Sequence, residues 1–325
     1  MKHENFLVVG GSGFVGRHLV AALAARGARV TVPTRRRDRA KHLILLPTVD
    51  VVEADVREPG VLARLAAGRD TVVNLAGVLH SRRGRPDERG PHDYGPDFAR
   101  AHVEVAQATV AACRASGVKR LLHMSALGAS RDAPSEYLRS KGVAEEAVLA
   151  ADDLAVTVFR PSVIFGPDDR FLNLFAELAA LFPVIPLGSP QARFQPVYVG
   201  DVVRAYVAAL ASPETAGKRY DLCGPKVYTL RELVEYACRV SGRRRIVIGL
   251  GDNLSYLQAR LMELSPRPLM TRDNVRSMQV PSVCGDCEPL PFALVPTPLE
   301  AAVPGWLAPA GPRDRYPKMR WRARR

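Results

Sequence analysis

Short apolar runs alternate with longer stretches of helical periodicity through the first half of the chain. Phe6 to Val9, Arg29 to Val32, Val49 to Ala54, Thr71 to Leu75, Arg120 to Met124 and Ala155 to Phe159 read as buried strands. Between them, apolar positions recur at helical spacing from Arg17 to about Arg26, Arg57 to Ala67, Phe98 to Ser116 and Ser135 to Ala151. Gly27 and Gly117 stand where the first and third of these helices should end. His80 to Asp97 is polar and rich in Gly, Pro and Arg, and reads as a loop. Strands alternating with helices of about ten or more residues predict a parallel sheet covered on both faces.

From Gly166 the alternation loosens. Arg170 to Leu181, Val199 to Ser212, Thr229 to Ser241 and Asp252 to Leu264 read as helices, the third opened by a Thr229/Glu232 capping box. Pro183 to Pro190 reads as extended and Gly217 to Cys223 as a strand. The last stretch is rich in proline, from Pro266 to Pro304, and should wrap over the body in extended segments. No internal repeat is visible. The fold class expected is α/β: a doubly wound parallel sheet in residues 1–165 and a smaller C-terminal α/β substrate lobe in residues 166–325, with strands able to cross back.

Composition narrows the classes. The chain has 325 residues, 47% of them hydrophobic, and a mean hydropathy of −0.05, as expected of an ordinary globular chain. No apolar run reaches the ~20 residues needed to cross a bilayer. The first strand begins near the N-terminus, which leaves no room for a leader peptide. Five cysteines, an odd number, suggest a reducing compartment. The expected location is therefore cytoplasmic, with peripheral contact at the cytoplasmic side of the inner membrane also open.

The formal charge of +13 changes the picture more. Arginines cluster at Arg35 to Arg39, Arg82 to Arg89, Arg243 to Arg245 and Arg313 to Arg325. No nucleic-acid motif accompanies them, so nucleic acid is not expected as a partner. The tail interleaves Tyr316 and Trp321 with basic residues, which suits anionic headgroups as well as it suits an unstructured terminus. Cys284-Gly285-Asp286-Cys287 is a lone CxxC; a structural zinc needs four ligands, so two free thiols are expected and no metal.

The chemistry concentrates in four places. After the first strand, Gly10, Gly13 and Gly16 lie at GxxGxxG spacing with Ser12, Phe14 and Val15 between them. Glycines there permit a tight turn, close approach to a pyrophosphate and close helix packing, and the following helix N-terminus favours negative charge. At the end of the second strand no acid is present to hold a ribose 2′-hydroxyl; Arg35 or Arg36 can clamp a 2′-phosphate instead. NADP(H) is therefore favoured, with NAD(H) as the alternative. Asp55, followed by Val56, can accept from an adenine amino group or cap the next turn. Leu75, Ala76 and Gly77 end the fourth strand with small residues against which a cofactor can lie.

Tyr137 and Lys141 are spaced i, i+4, so both side chains share one helix face. An ammonium beside a phenol lowers the phenol pKa and suits Tyr137 to proton exchange with a carbonyl or alcohol. Ser125, just past the fifth strand, is placed to hydrogen-bond the same oxygen.

Together GGSGFVG, NLAG, Ser125 and YLRSK resemble the short-chain dehydrogenase/reductase superfamily, and FRPSVIFGPDD and FQPVYVGDVVRA resemble its extended branch. HVEVAQ, HMSALGA, SEYLRSKGVAEEAV and RPSVIFGPDDRFLNLFA are similar to an atypical extended group, the nucleotide-binding thirty-nine-kilodalton accessory subunits of respiratory complex I and their bacterial relatives. The resemblance covers nearly the whole chain. It implies a tightly held nucleotide on a Rossmann domain, with further cofactor contacts at Pro161 and Val163. It also implies a structural role beside a quinone-reducing complex or a role in quinone metabolism. Both Tyr137 and Lys141 are kept, so an active reductase, epimerase or dehydratase is the alternative, and a membrane-surface protein held by its tail is a third. The hydroxyl-rich stretch that nucleotide-sugar epimerases carry around their serine is missing, which puts their substrate pocket in doubt. Residues 78–97 and 166–194 should set specificity, but carry no motif that names a substrate.

Overall fold

The computed structural model describes residues 4–82, 94–265, 268–285 and 290–309. Six strands of its main sheet come from the first half: β1 (Asn5–Val9), β2 (Arg29–Thr34), β3 (Val49–Glu53), β4 (Thr71–Asn74), β5 (Arg120–Met124) and β6 (Ala155–Pro161). The helices among them are α1 (Phe14–Ala24), α2 (Lys41–Ile44), α3 (Val61–Ala66), α4 (Pro96–Phe98), α5 (Val105–Ser116) and α6 (Glu136–Leu149).

The second half contributes short strands β7 (Ile164–Phe165), β8 (Val184–Leu187), β9 (Arg193–Phe194) and β10 (Val197–Tyr198), then β11 (Lys218–Leu222), β12 (Tyr228–Thr229) and β13 (Ile246–Gly249). Its helices are α7 (Leu172–Leu181), α8 (Val199–Leu210), α9 (Leu230–Val240), α10 (Asp252–Met262), α11 (Arg272–Ser277), α12 (Leu299–Ala302) and α13 (Pro304–Leu307).

The main sheet runs β11-β6-β5-β4-β1-β2-β3, and all its pairings are parallel. The continuous apolar run of β1 follows from burial on both faces. Phe6 and Val8 pack with Leu19, Val20 and Leu23 of α1 and with Val202 and Tyr206 of α8. Leu7 and Val9 point the other way, to Leu62 of α3, Val110 of α5 and Val148 of α6. Strand order reverses where β1 lies between β4 and β2, and such a switch opens a crevice at the carboxyl ends of the strands.

Two sequence boundaries shift. The helix expected from Phe98 to Ser116 is broken into α4, a π-helical segment at Ala99–Glu104, and α5. The helix expected from Arg57 is confined to α3, because Gly60 before it takes φ +76°. The strand expected from Gly217 to Cys223 is β11, which crosses back to the main sheet as its edge. Helix α8 also belongs to that layer, so the smaller lobe is assembled around α7, α9 and their short strands.

The described part of the proline-rich end does wrap back. Asp201 on α8 accepts from the Thr297 backbone N–H at 2.6 Å and from its hydroxyl at 2.8 Å. Ser162 Oγ donates to the Ser282 carbonyl at 2.7 Å, and Gln195 accepts from the Cys284 N–H at 3.0 Å. That strap carries a correction: Cys284 is not a free thiol but is disulfide-bonded to Cys223, 61 residues away and just past β11. Both are buried. Cys287 and the basic tail lie outside the described residues. No helix among the described residues is long and apolar enough to cross a membrane.

Cross-linking across 61 residues removes loop freedom from the unfolded chain. Cys223→Ser/Cys284→Ser is expected to lower stability by about 2–4 kcal/mol, read as a drop in the urea midpoint, with a steeper slope because the unfolded chain expands.

Candidate functional site

The crevice is floored by backbone. Gly10 turns out of β1 at φ +80°, and a Cβ there would lie 2.8 Å from the carbonyl carbon of Leu75. A Cβ at Gly16 would collide with the Gly10 carbonyl and lie 2.6 Å from Gly11 Cα. These contacts bring α1 directly onto the strand end. Gly13 is the N-cap of α1, in extended conformation, and no side chain caps it. The first amides of α1 are left to face the crevice, with Ser12 half-buried and Gly13 exposed. Arg17 on α1, not singled out by the sequence, pairs with Asp168 at 3.1 Å and lies 5.8 Å from the Phe14 ring. Leu75, Ala76 and Gly77 follow β4, and Pro161 ends β6 with Val163 two residues on, the strand β5 lying between the two.

At the end of β2, Arg35 and Arg36 are both exposed. The Arg36 fork is taken by Asp38, at 3.2 and 2.8 Å. Arg35 contributes to lowering the pKa of Asp55. Of the two readings of Asp55, the turn cap is the one present: its carboxylate accepts from the Arg57 N–H at 3.1 Å and pairs with the Arg57 guanidinium. That pairing holds the carboxyl at about 2. Val56 is half-buried beside it.

Deeper in, α6 sets Tyr137 and Lys141 one turn apart against the end of β4 and β5. Lys141 Nζ donates to the carbonyls of Met124 at 3.1 Å and Ala76 at 3.4 Å. A Cβ at Gly77 would lie 3.2 Å from that ammonium, so glycine is what admits it. Ser125 is buried and its hydroxyl has no protein partner. A buried hydroxyl without a partner at the carboxyl ends of the strands fits a site built to receive a polar ligand atom.

The expectation that Lys141 lowers the phenol pKa is corrected here. Burial pushes Tyr137 up to about 12 and Lys141 down to about 8. The ammonium is spent on two carbonyls, and desolvation dominates both groups.

Three supports were not legible in the sequence. His102, on the π-helical segment, accepts from the Val78 N–H through Nε2 at 3.0 Å. Its Nδ1 then carries the proton and donates to Ser140 Oγ at 2.8 Å, and Ser140 donates to the Tyr137 carbonyl at 2.8 Å. Burial, then the Lys141 charge, drives the pKa of His102 far down and keeps it neutral. Its ring also lies edge-on to Tyr137, at 5.6 Å. Asp273, from α11 of the second half, accepts from the backbone N–H groups of Glu136 and Tyr137 at 2.7 and 3.0 Å. A carboxylate at that helix end is favoured by the dipole and fixes the turn that carries Tyr137. His102 lies in HVEVAQ, which marks a family resemblance in the sequence but carries no signal of the π-helical turn. His123, on β5, is buried and accepts from Asn74 Nδ2 at 3.3 Å. Among the described residues no cluster could hold a metal ion.

Comparison with known proteins gives concordant matches. The family model described as "NAD dependent epimerase/dehydratase family" matches residues 6–223. NADH dehydrogenase (ubiquinone) 1 alpha subcomplex subunit 9, mitochondrial, of Mus musculus is 33% identical over 302 residues, 90% of this chain and 77% of that protein. The Arabidopsis thaliana protein of the same name is 38% identical over 70% of this chain, which spans only 56% of its length. Ceramide reductase of Caulobacter vibrioides is 35% identical over 75% of this chain and 73% of that protein. Among solved structures, UDP-glucuronic acid 4-epimerase from Bacillus cereus, in complex with UDP-glucuronic acid and NAD, matches with TM-score 0.63 and 19% identity, over 84% of this chain and 99% of that one. At that identity the likeness concerns the fold.

In the folded chain Lys141 titrates at about 8, against an ordinary 10.5. Between those values the unfolded chain keeps a proton that the folded chain has released, so stability rises with pH. From pH 8 to pH 10 the wild type should gain about 2 kcal/mol relative to Lys141→Met. Parallel urea titrations at the two pH values measure this, and equal shifts in both proteins would refute it.

Proposed function

The chain belongs to the NAD dependent epimerase/dehydratase family, in the extended short-chain dehydrogenase/reductase branch similar to the complex I accessory subunits, and from that premise we propose that it is an NADP(H)-binding protein of the accessory-subunit type. The observation that carries this is the glycine cradle at the β1/β4 switch, where backbone fills the places of two Cβ atoms beneath an uncapped helix end. The basic residues at the end of β2 support the phosphorylated cofactor. Arg35 is the principal clamp in this reading, because Arg36 is shared with Asp38. Gly10, Ser12, Gly13, Phe14, Val15 and Gly16 line the diphosphate, and Leu75, Ala76, Gly77, Pro161 and Val163 flank the nicotinamide half. Asp55 and Val56 border the adenine. The names of the relatives support a role beside a quinone-reducing respiratory complex or in a quinone-linked reaction.

A second reading, reduction of a carbonyl substrate, is favoured by the partnerless hydroxyl of Ser125. A bound nicotinamide would supply or accept hydride there. Ser125 would orient the substrate oxygen by a hydrogen bond, and Tyr137 would exchange a proton with it. Lys141 would hold ribose hydroxyls and, once those draw it from Met124 and Ala76, favour the phenolate.

The first test is calorimetric titration with NADPH and NADH. Removing charge-assisted contacts by Arg35→Gln/Arg36→Gln should weaken NADPH binding by about ten- to hundredfold and leave NADH binding nearly unchanged. No affinity of the wild type for either nucleotide would overturn the proposal.

Tyr137→Phe separates the two readings. An enzyme should lose about two to four orders of magnitude in turnover, whereas a binding subunit should keep its nucleotide and its co-purifying partners.

A further inference from the structure

One cross-link pins the segment that packs against the Tyr137 turn. Residues 271–285 run from the smaller lobe to Cys284, which is bonded to Cys223 just past β11. At the near end, Asp273 of α11 accepts from the Glu136 and Tyr137 N–H groups, at 2.7 and 3.0 Å. Farther along, Val280 packs with Tyr137, Leu138 and Ala126, the last of these next to Ser125. A Cβ at Gly128 would lie 3.2 Å from the Val280 side chain, so the fit there is close.

The far end lies against the exit of β6. The Ser282 carbonyl accepts from Ser162 Oγ at 2.7 Å and from the Gln195 N–H at 2.9 Å. Ser162 stands between Pro161 and Val163, and its own N–H donates to the Leu222 carbonyl at 2.9 Å, next to Cys223. The segment thus borders both the Ser125/Tyr137 pair and the residues that flank the nicotinamide half in the reading above.

Little besides the bridge holds it in place. Of residues 271–285 only Val275 and Cys284 are buried. A segment with so few buried contacts opens locally at low cost. The hydrogen bonds at its far end join neutral groups, each a weak net contribution. The Arg272–Glu263 pair, at 2.7 Å, ties α11 to the end of α10 and not to α6. The bridge keeps the remaining donors and acceptors within reach of one another, an advantage in effective concentration that ends when the sulfurs part.

We infer that the Cys223–Cys284 bridge is a redox switch for this site. Oxidised, it seats the segment against the turn that carries Tyr137; reduced, it lets the segment lift. The reductant is a dithiol. Its thiolate attacks one sulfur of the bridge and expels the other cysteine as a thiolate, which takes up a proton. The second thiol then breaks the mixed disulfide, so the protein gains two electrons as two thiols and the reductant leaves as a disulfide. The effect on nucleotide release rests on the nucleotide reading above, whereas the effect on the Tyr137 turn does not.

Hydrogen exchange and NADPH release, compared in the oxidised wild type and after dithiothreitol, test this, with alkylation of Cys223 and Cys284 followed by mass spectrometry. Both cysteines should become alkylated with circular dichroism unchanged. Exchange at Glu136, Tyr137 and residues 278–284 should quicken at least about tenfold, NADPH should dissociate faster by a similar factor, and oxidised glutathione should reverse both. Cys223→Ser/Cys284→Ser should behave as the reduced wild type and ignore dithiothreitol. Asp273→Ala, with the bridge intact, should free the Glu136 and Tyr137 amides but leave residues 280–284 protected. A bridge that dithiothreitol opens only by unfolding the protein would overturn the inference. So would a reduced protein whose exchange at Glu136, Tyr137 and residues 278–284 is that of the oxidised one, since the bridge would then be a structural cross-link alone. NADPH binding to neither form would refute the nucleotide reading, and the exchange rates would still decide the switch.

Discussion

The whole nucleotide-binding half depends on one close approach, that of α1 and the turn before it to the carboxyl ends of β1 and β4. Gly10 and Gly16 have backbone where other residues carry a side chain. Any Cβ at these positions would push the helix off the sheet and shift its first amides out of the crevice. Packing density and anion binding are therefore one constraint here: the contact that lets Leu19, Val20 and Leu23 reach the sheet also aims the helix dipole at the site.

Burial governs the electrostatics of the same crevice. Lys141 is held among carbonyls rather than carboxylates, and Tyr137 leans on the neutral His102 ring instead of a cation. Desolvation thus pushes both groups toward their uncharged forms. A site in that condition resists ionisation until a ligand brings polar atoms into it. The hydroxyl of Ser125, buried without a partner, belongs to the same unfinished network.

The second half of the chain shares the core of the main sheet through α8 and β11, and near the site a few polar contacts add to that packing. Asp273 caps the helix that bears Tyr137, Asp201 holds the returning segment at Thr297, and the Cys223–Cys284 bridge fastens the strap beside Ser162 and Gln195. Of these tethers the Asp273 contact ends on Tyr137 itself, while the Ser162 and Cys223 contacts follow directly on β6 and β11.

Reading the chain alone recovers what local chemistry dictates. The period of the apolar residues specified the strands of the sheet, since a strand buried on both faces must be apolar throughout. GxxGxxG between a strand and a helix specified the cradle, and the i, i+4 spacing put Tyr137 and Lys141 on one face. What it missed depends on segments that meet only after folding. No local pattern joins Cys223 to Cys284, Asp273 to the amide of Tyr137, or His102 to Val78, because 61, 136 and 24 residues separate those pairs. The ionisation of Lys141 and Tyr137 escaped for a related reason. Residue identity shows which charges are neighbours along a helix, but the loss of water that decides their protonation is set only by the packing of the whole fold.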